Sequence, residues 1–171
     1  MGHYINKIKD LGGVEYIDNT LYGATIRSKV DGVANAFYGY QTNGVYSNSV
    51  EAKAANLKVL GTDGTTYYDV AAGDMRFVDQ NGDGKINNDD MVQICNPNPD
   101  VYGNIFTSVT WKRFRLDMNF NYSIGNDIYN YMRSQLEGGS RFMNQTTALN
   151  ARWSAENDVT SDPRVDFQDS K

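Results

Sequence analysis

The 171-residue chain contains a single cysteine, a single histidine and three prolines. With Cys95 alone, no disulfide forms within these residues and a thiolate metal site has no second ligand. Cys95 reads as a small, half-buried apolar residue. With His3 as the one imidazole, near the N-terminus, a histidine-based catalytic triad lacks its base. The net charge is −5, and the 16 lysines and arginines are scattered, so there is no basic footprint for nucleic acid and no cationic run for an anionic membrane surface. No apolar run approaches the roughly 20 residues of a transmembrane helix. The opening MGHYINKIKD has no apolar segment of the signal-peptide kind. These last two absences point to a cytoplasmic, soluble protein only for a complete chain.

What is abundant points to β-structure. Twelve tyrosines, seven phenylalanines and two tryptophans sit among 16 glycines and many asparagines, a composition of strands and turns. YINKIKDL (4 to 11) reads as a strand with imperfect alternation. ATIRSKV (24 to 30) and VANAFYGY flank Asp31-Gly32, a hairpin signal, and Asn43-Gly44 reads as a second turn. Residues 50 to 60 have helical propensity, with Gly61 and Gly64 closing the segment. Thr65 to Asp69 reads as a short strand.

The cleanest pattern lies further on. Phe114, Leu116, Met118, Phe120, Tyr122 and Ile124 alternate with Arg115, Asp117, Asn119, Asn121 and Ser123, a strand with one apolar and one polar wall. Gly103, Ile105, Thr107, Val109 and Trp111 alternate less cleanly with Tyr102, Asn104, Phe106, Ser108 and Thr110. With Lys112-Arg113 as a two-residue connection, Trp111 and Phe114 become cross-strand neighbours and the apolar walls coincide. Such a hairpin fits a soluble sandwich, its apolar wall on a second sheet. It also fits an outer-membrane barrel, whose strands run about 9–11 residues with lipid on one wall and a wet lumen on the other. After Ile124, Asn126-Asp127 is a capping signal for a helix carrying Ile128, Tyr131, Met132 and Gln135 or Leu136 at helical spacing, with Gly138 beyond its end. A second short helix is expected from about Thr147 to Ala155, burying Leu149 and Trp153.

VDQNGDGKINNDD (78 to 90) matches the calcium-loop template. Its oxygen positions 1, 3, 5, 7, 9 and 12 fall on Asp79, Asn81, Asp83, the Lys85 carbonyl, Asn87 and Asp90, with Gly84 at the sharp turn and Ile86 as the apolar anchor. Calcium is a large, hard cation that takes six to eight oxygens, and three carboxylates offset its charge. The departure is aspartate rather than glutamate at position 12. A calcium sensor sets paired loops between amphipathic helices. Here one loop has strand-like flanks, GDMRFV and MVQICNPNP, so its expected role is structural. No pocket, nucleophile or perturbed acid marks an enzyme, although acidic pairs such as Asp89-Asp90 exist.

Several segments, in order, resemble the SusC/RagA-like TonB-linked outer-membrane proteins, which are nutrient-import barrels. FYGYQTNGVYSNSVEA (37 to 52) looks like the family's aromatic-Gly-Tyr segment. GDMRFVDQNGDGKINNDDMVQICNPNPDVYGN (73 to 104) is similar to its calcium-type loop running through Asn-Pro-x-Pro into a membrane strand. WKRFRLDMNFNYSIGNDIYN (111 to 130) looks like the next strand with its Gly-Asn-Asp-aliphatic-Tyr end, and Arg152-Trp153 with Asp162-Pro163-Arg164 resembles the start of an extracellular loop.

The resemblance implies a mainly β fold: antiparallel strands of a partial transmembrane β-barrel, with a calcium-type loop and short helices in long extracellular loops. In that reading, residues 1–171 are a fragment of one outer-membrane barrel domain. The calcium loop is 79–90, the membrane hairpin 102–124 and the long extracellular loop 125–169. The lumen wall includes Arg115, Asp117, Asn119 and Asn121. The implied function is TonB-dependent import of glycans or peptides across the cell outer membrane. The implied partners are a SusD-like surface lipoprotein, TonB acting through parts not in this chain, and outer-membrane lipid, with structural calcium as cofactor. The competing reading is a soluble, secreted β-rich binding module with a structural calcium.

Overall fold

The computed structural model describes residues 2–3, 5–139 and 144–165. The chain is mainly β. Its strands are β1 (Gly2–His3), β2 (Tyr16–Leu21), β3 (Ala24–Lys29), β4 (Ala36–Tyr40), β5 (Thr42–Val45), β6 (Lys58–Leu60), β7 (Tyr67–Asp69), β8 (Met75–Phe77), β9 (Lys85–Ile86), β10 (Met91–Cys95), β11 (Val101–Trp111) and β12 (Phe114–Ile124). Beside the strands are helices α1 (Ser49–Ala55) and α2 (Tyr131–Glu137) and the 3-10 turns Asn88–Asp90 and Thr147–Ala151. Two compact units result. The first is Met1–Tyr38 with Gln93–Tyr129, and the second is Gly39–Val92 with Asn130–Lys171.

The first unit carries the long hairpin. β11 and β12 pair antiparallel through eleven positions, from Val101↔Ile124 to Trp111↔Phe114. The connection is the expected Lys112-Arg113, and Lys112 supplies the left-handed residue at φ 55° that a tight hairpin turn requires. β1 covers only the start of β11, at Tyr102 and Val101. A second sheet has the order β10-β4-β3-β2. There Arg27 is 6% exposed. Its guanidinium donates two hydrogen bonds to Asp18, at 2.7 and 2.8 Å, and stacks 4.1 Å from Tyr16 and 4.8 Å from Tyr38. The charge is buried only because one carboxylate and two ring faces receive it.

The second unit has its own small core, in which Tyr46, Ala52 and Val70 are buried against Ala55, Leu57 and Val59. α1 starts at Asn48, whose side chain accepts from the Val50 and Glu51 amides. It stops at Asn56, which takes the left-handed conformation at φ 49°. The helix therefore ends well before Gly61, because Lys58–Leu60 is claimed by strand pairing with β7 and β9.

Other expectations also shift. Ile5–Leu11 forms no strand; its apolar positions do not alternate, and Ile8 alone exchanges backbone hydrogen bonds with Gly32 and Asp31. The hairpin near Asp31-Gly32 exists, but its connection runs from Val30 to Asn35, with Asp31 and Asn35 both at positive φ. Asn43-Gly44 is not a turn. It lies inside β5 opposite β8, where the register shifts between Thr42 and Val45, and Gly44 at φ 80° makes the bulge. α2 is capped by Asn130 rather than by Asn126-Asp127, and the Asp127 carboxylate instead accepts the Asn96 amide at 2.9 Å. The second helix shortens to a 3-10 turn, with Leu149 and Trp153 half-buried.

Candidate functional site

The loop at 79–90 is organised by its own acidic and amide side chains. Asp79 accepts the Gly82 amide at 2.7 Å and the Gly84 amide at 2.8 Å. Asn81 accepts the Asp83 amide, Asp83 accepts the Lys85 amide and Asn87 accepts the Asp89 amide, all between 2.7 and 2.9 Å. Each is an Asx turn, in which a side-chain oxygen folds the backbone two residues on. Gly84 sits at φ 78°, the left-handed geometry expected at position 6. Ile86 is 1% exposed and pairs with Val59 of β6, so the apolar anchor fixes the middle of the loop. Backbone donors, the Gly84 amide first, hold the Asp79 carboxyl below the usual carboxylate range.

Asp90 closes the loop. It is fully buried. One oxygen accepts the Gln80 amide at 2.9 Å and the other the Asn87 amide at 2.9 Å. With Asn87 it completes a capping box around Asn88–Asp90. Each Asp90 oxygen keeps a second lone pair. Among the described residues no three carboxylate, thiolate or imidazole groups converge on one metal position. A cation here would therefore depend on amide and carbonyl oxygens, from Asn81, Asn87 and Lys85, besides Asp79, Asp83 and the spare lone pairs of Asp90. That all-oxygen donor set suits a hard cation and not a soft one.

The hairpin is the second candidate. Its register puts Trp111 beside Phe114, Val109 beside Leu116, Ile105 beside Phe120 and Val101 beside Ile124 on one wall. Most of this wall is exposed, from 53% at Val109 to 73% at Phe114, while Val101, Met118 and Tyr122 are half-buried. On the opposite wall Asn104 donates to Asn119 and, at 2.7 Å, to Asn121. Arg115 pairs with Asp117 on the same strand at 3.0 Å. Tyr102 and Phe106 are the large aromatic side chains on that wall. Among the described residues β12 has no strand on its outer edge, and β11 is free beyond Tyr102. No described helix is long and apolar enough to cross a membrane, which says nothing of strands.

Sequence reasoning missed several long-range ties. Arg164 donates to Asp74 at 2.8 Å, and the Trp153 indole donates to the Ser47 carbonyl at 3.1 Å. Arg76 pairs with Glu51 over the Tyr46 ring. Partners 25 to 106 residues apart leave no local signal.

The chain is 33% identical over 131 residues, 75% of its length, to TonB-dependent receptor P3 of Formosa agariphila. It is 29% identical over 165 residues, 94% of its length, to TonB-dependent receptor P26 of the same organism. The chain belongs to the TonB-dependent receptors. It spans 16% of the length of receptor P26 and 12% of receptor P3. No protein-family model matches it. The matched stretch of this receptor chain takes in both candidates, since 94% of its residues align with P26.

Proposed function

We propose that this chain is part of the barrel wall of an outer-membrane TonB-dependent importer of the SusC/RagA kind, with β11 and β12 as membrane strands. The observation that carries this reading is the hairpin itself. Two eleven-residue strands set most of their apolar side chains on one wall in register, and most of that wall is left bare. In lipid such a wall is solvated, and neighbouring strands satisfy the open backbone edges. The polar wall of Asn104, Arg115, Asp117, Asn119 and Asn121 then lines the lumen. A soluble module with a structural calcium accounts less well for it, because such a module covers its apolar wall with a second layer.

In this reading the cargo is a glycan or peptide, a SusD-like lipoprotein caps the barrel outside, and TonB supplies the driving force through other parts of the protein. The receptor names of the relatives support transport over catalysis. Single-cysteine labelling in intact outer membranes, with Cys95 replaced by serine, tests the reading. Leu116→Cys and Phe120→Cys should react with a lipid-soluble maleimide and be shielded from a water-soluble one, while Asn119→Cys shows the reverse. Equal labelling of both walls by the water-soluble reagent would sink it.

The loop at 79–90 is proposed as a structural calcium site held by Asp79, Asn81, Asp83, Asn87, Asp90 and the Lys85 carbonyl. When bound, the cation neutralises the carboxylates and stiffens a loop outside the membrane. The supporting features are the Asx turns, Gly84 and the oxygen-only donor set. Asp79→Ala or Asp83→Ala should weaken calcium binding at least about tenfold, or ~1.4 kcal/mol. Calorimetry with no calcium uptake at about millimolar concentration, the weak end of protein calcium sites, would reject the site. Because the folded Asp79 value is lowered, its stabilisation is full above the ordinary carboxylate range and is lost as pH falls through the lower value. Calcium affinity should therefore persist through the ordinary carboxylate range as far as this group is concerned.

A further inference from the structure

β11 is paired over its whole length on one side and barely on the other. β12 runs beside it from Val101 to Trp111, whereas β1 covers Val101 and Tyr102 alone. From Gly103 to Trp111 the second edge has no strand against it among the described residues. An open edge of that length is a template for another strand, and open edges do not occur in the hydrocarbon of a bilayer.

β1 is short but specifically seated. Gly2 lies opposite Tyr102, and its missing side chain makes room for that ring: a Cβ on Gly2 would come within 2.8 Å of Tyr102 Cζ. The same arrangement recurs in the long ladder. There Gly103 lies opposite Tyr122, and a Cβ on it would come within 2.5 Å of the Tyr122 hydroxyl. A tyrosine ring laid over a cross-strand glycine thus marks both neighbours of β11. His3 Nδ1–H also donates to the Asp100 carbonyl at 2.8 Å, just ahead of β11. Because β1 is antiparallel to β11, following it backwards from Gly2 leads along the open edge toward Trp111.

We propose that this open edge is filled by the segment of the intact receptor immediately N-terminal to β1, running on into β1 as one strand. The β1–β11 pairing sets its direction and register. The chain spans 16% of receptor P26 and 12% of receptor P3, so most of such a receptor lies outside residues 1–171. Continuing the register puts the fourth residue before Met1 opposite Thr107 and the sixth opposite Val109. Directly opposite residues share a wall. The second, fourth, sixth and eighth residues before Met1 are therefore apolar, and the odd-numbered ones between them mainly polar. The chain between β1 and β11, calcium loop included, becomes one excursion between neighbouring strands, at the end of the sheet away from Lys112-Arg113. The proposal deepens the barrel-wall reading by naming the strand beside β11, and rests on that reading for the solvent on each wall.

Disulfide trapping in the intact receptor, with Cys95 replaced by serine, tests it. Thr107→Cys is combined with a cysteine at the fourth residue before Met1. Mild oxidation should link the two within one molecule, because opposite Cα atoms of an antiparallel pair stand about 4.5–5.5 Å apart, within disulfide reach. A cysteine at the third or fifth residue points to the other wall and should link at least about tenfold less. Thr107→Cys with Met118→Cys, opposite each other across β11 and β12, is the control. No upstream link while the control links would overturn the proposal and leave the hairpin standing. Failure of both pairs would overturn the hairpin and the proposal with it. A link between two receptor molecules through Thr107→Cys would give the edge to a second copy and equally overturn it. Labelling of the two walls decides the barrel reading independently.

Discussion

The hairpin of the first unit and the loop-bearing part of the second solve opposite problems. β11 and β12 make a long, regular ladder and bury almost nothing: their apolar wall is more than half exposed at most large positions. The second unit has strands of two to four residues, yet it buries Val45, Tyr46, Ala52, Val70, Ile86 and Asp90. One region has backbone order without a core, the other a core with little regular backbone. Hydrogen bonding alone contributes modestly in water, so an uncovered hairpin of this kind depends on its surroundings for stability. The loop region depends on contacts it already makes.

That contrast can be broken from either side. The largest effect is expected on the hairpin. Leu116→Arg should cost about 2–4 kcal/mol if the wall faces lipid and block assembly of a heat-modifiable barrel on gel electrophoresis, while Asn119→Arg on the other wall is tolerated. In water both positions are exposed, and a soluble hairpin would register little from either change. Next is Asp90→Ala, which strands the Gln80 and Asn87 amides in a buried site and should destabilise the loop by about 3 kcal/mol. Hydrogen exchange over 79–90 reads this directly, with the hairpin amides unchanged. The smallest effect is a gain. Lys112→Gly relieves a left-handed lysine at φ 55° and should stabilise the turn by about 0.5–1 kcal/mol, visible as slower exchange at Trp111 and Phe114.

The same contrast explains what could be read from sequence. The hairpin was legible because a strict period of two and a two-residue connection determine register by themselves, down to Trp111 opposite Phe114. The loop's conformation was legible because its spacing is local: the Asx-turn residues, Gly84 and Ile86 lie within twelve residues. The shorter elements were not. Asn43-Gly44 carries a turn signature, yet β8, more than thirty residues on, recruits it into a bulged strand. Asp127 has the chemistry of a helix cap, but the Asn96 amide takes its carboxylate, and Asn130 caps α2. Burial of Asp90 by two amides is equally invisible, since a ligand and a clasp require the same residue. Competition between partners distant in sequence decided each case.

The tie between Asn96 and Asp127 has a consequence for strand register. The Asp127 amide donates to the Asn96 carbonyl at 2.7 Å and its carboxylate accepts the Asn96 amide, while the Asp100 amide donates to Ile124 at 2.9 Å. The ladder is therefore pinned at both ends, by the Lys112-Arg113 turn and by this clasp. A slip of one residue between β11 and β12 would exchange the walls, turning Leu116 and Phe120 toward the partners of Arg115 and Asn119. The clasp cannot follow such a slip without losing both of its bonds. Its two polar residues thus act as a gauge of alignment, rejecting the misregistered hairpin before its side chains ever meet their solvent.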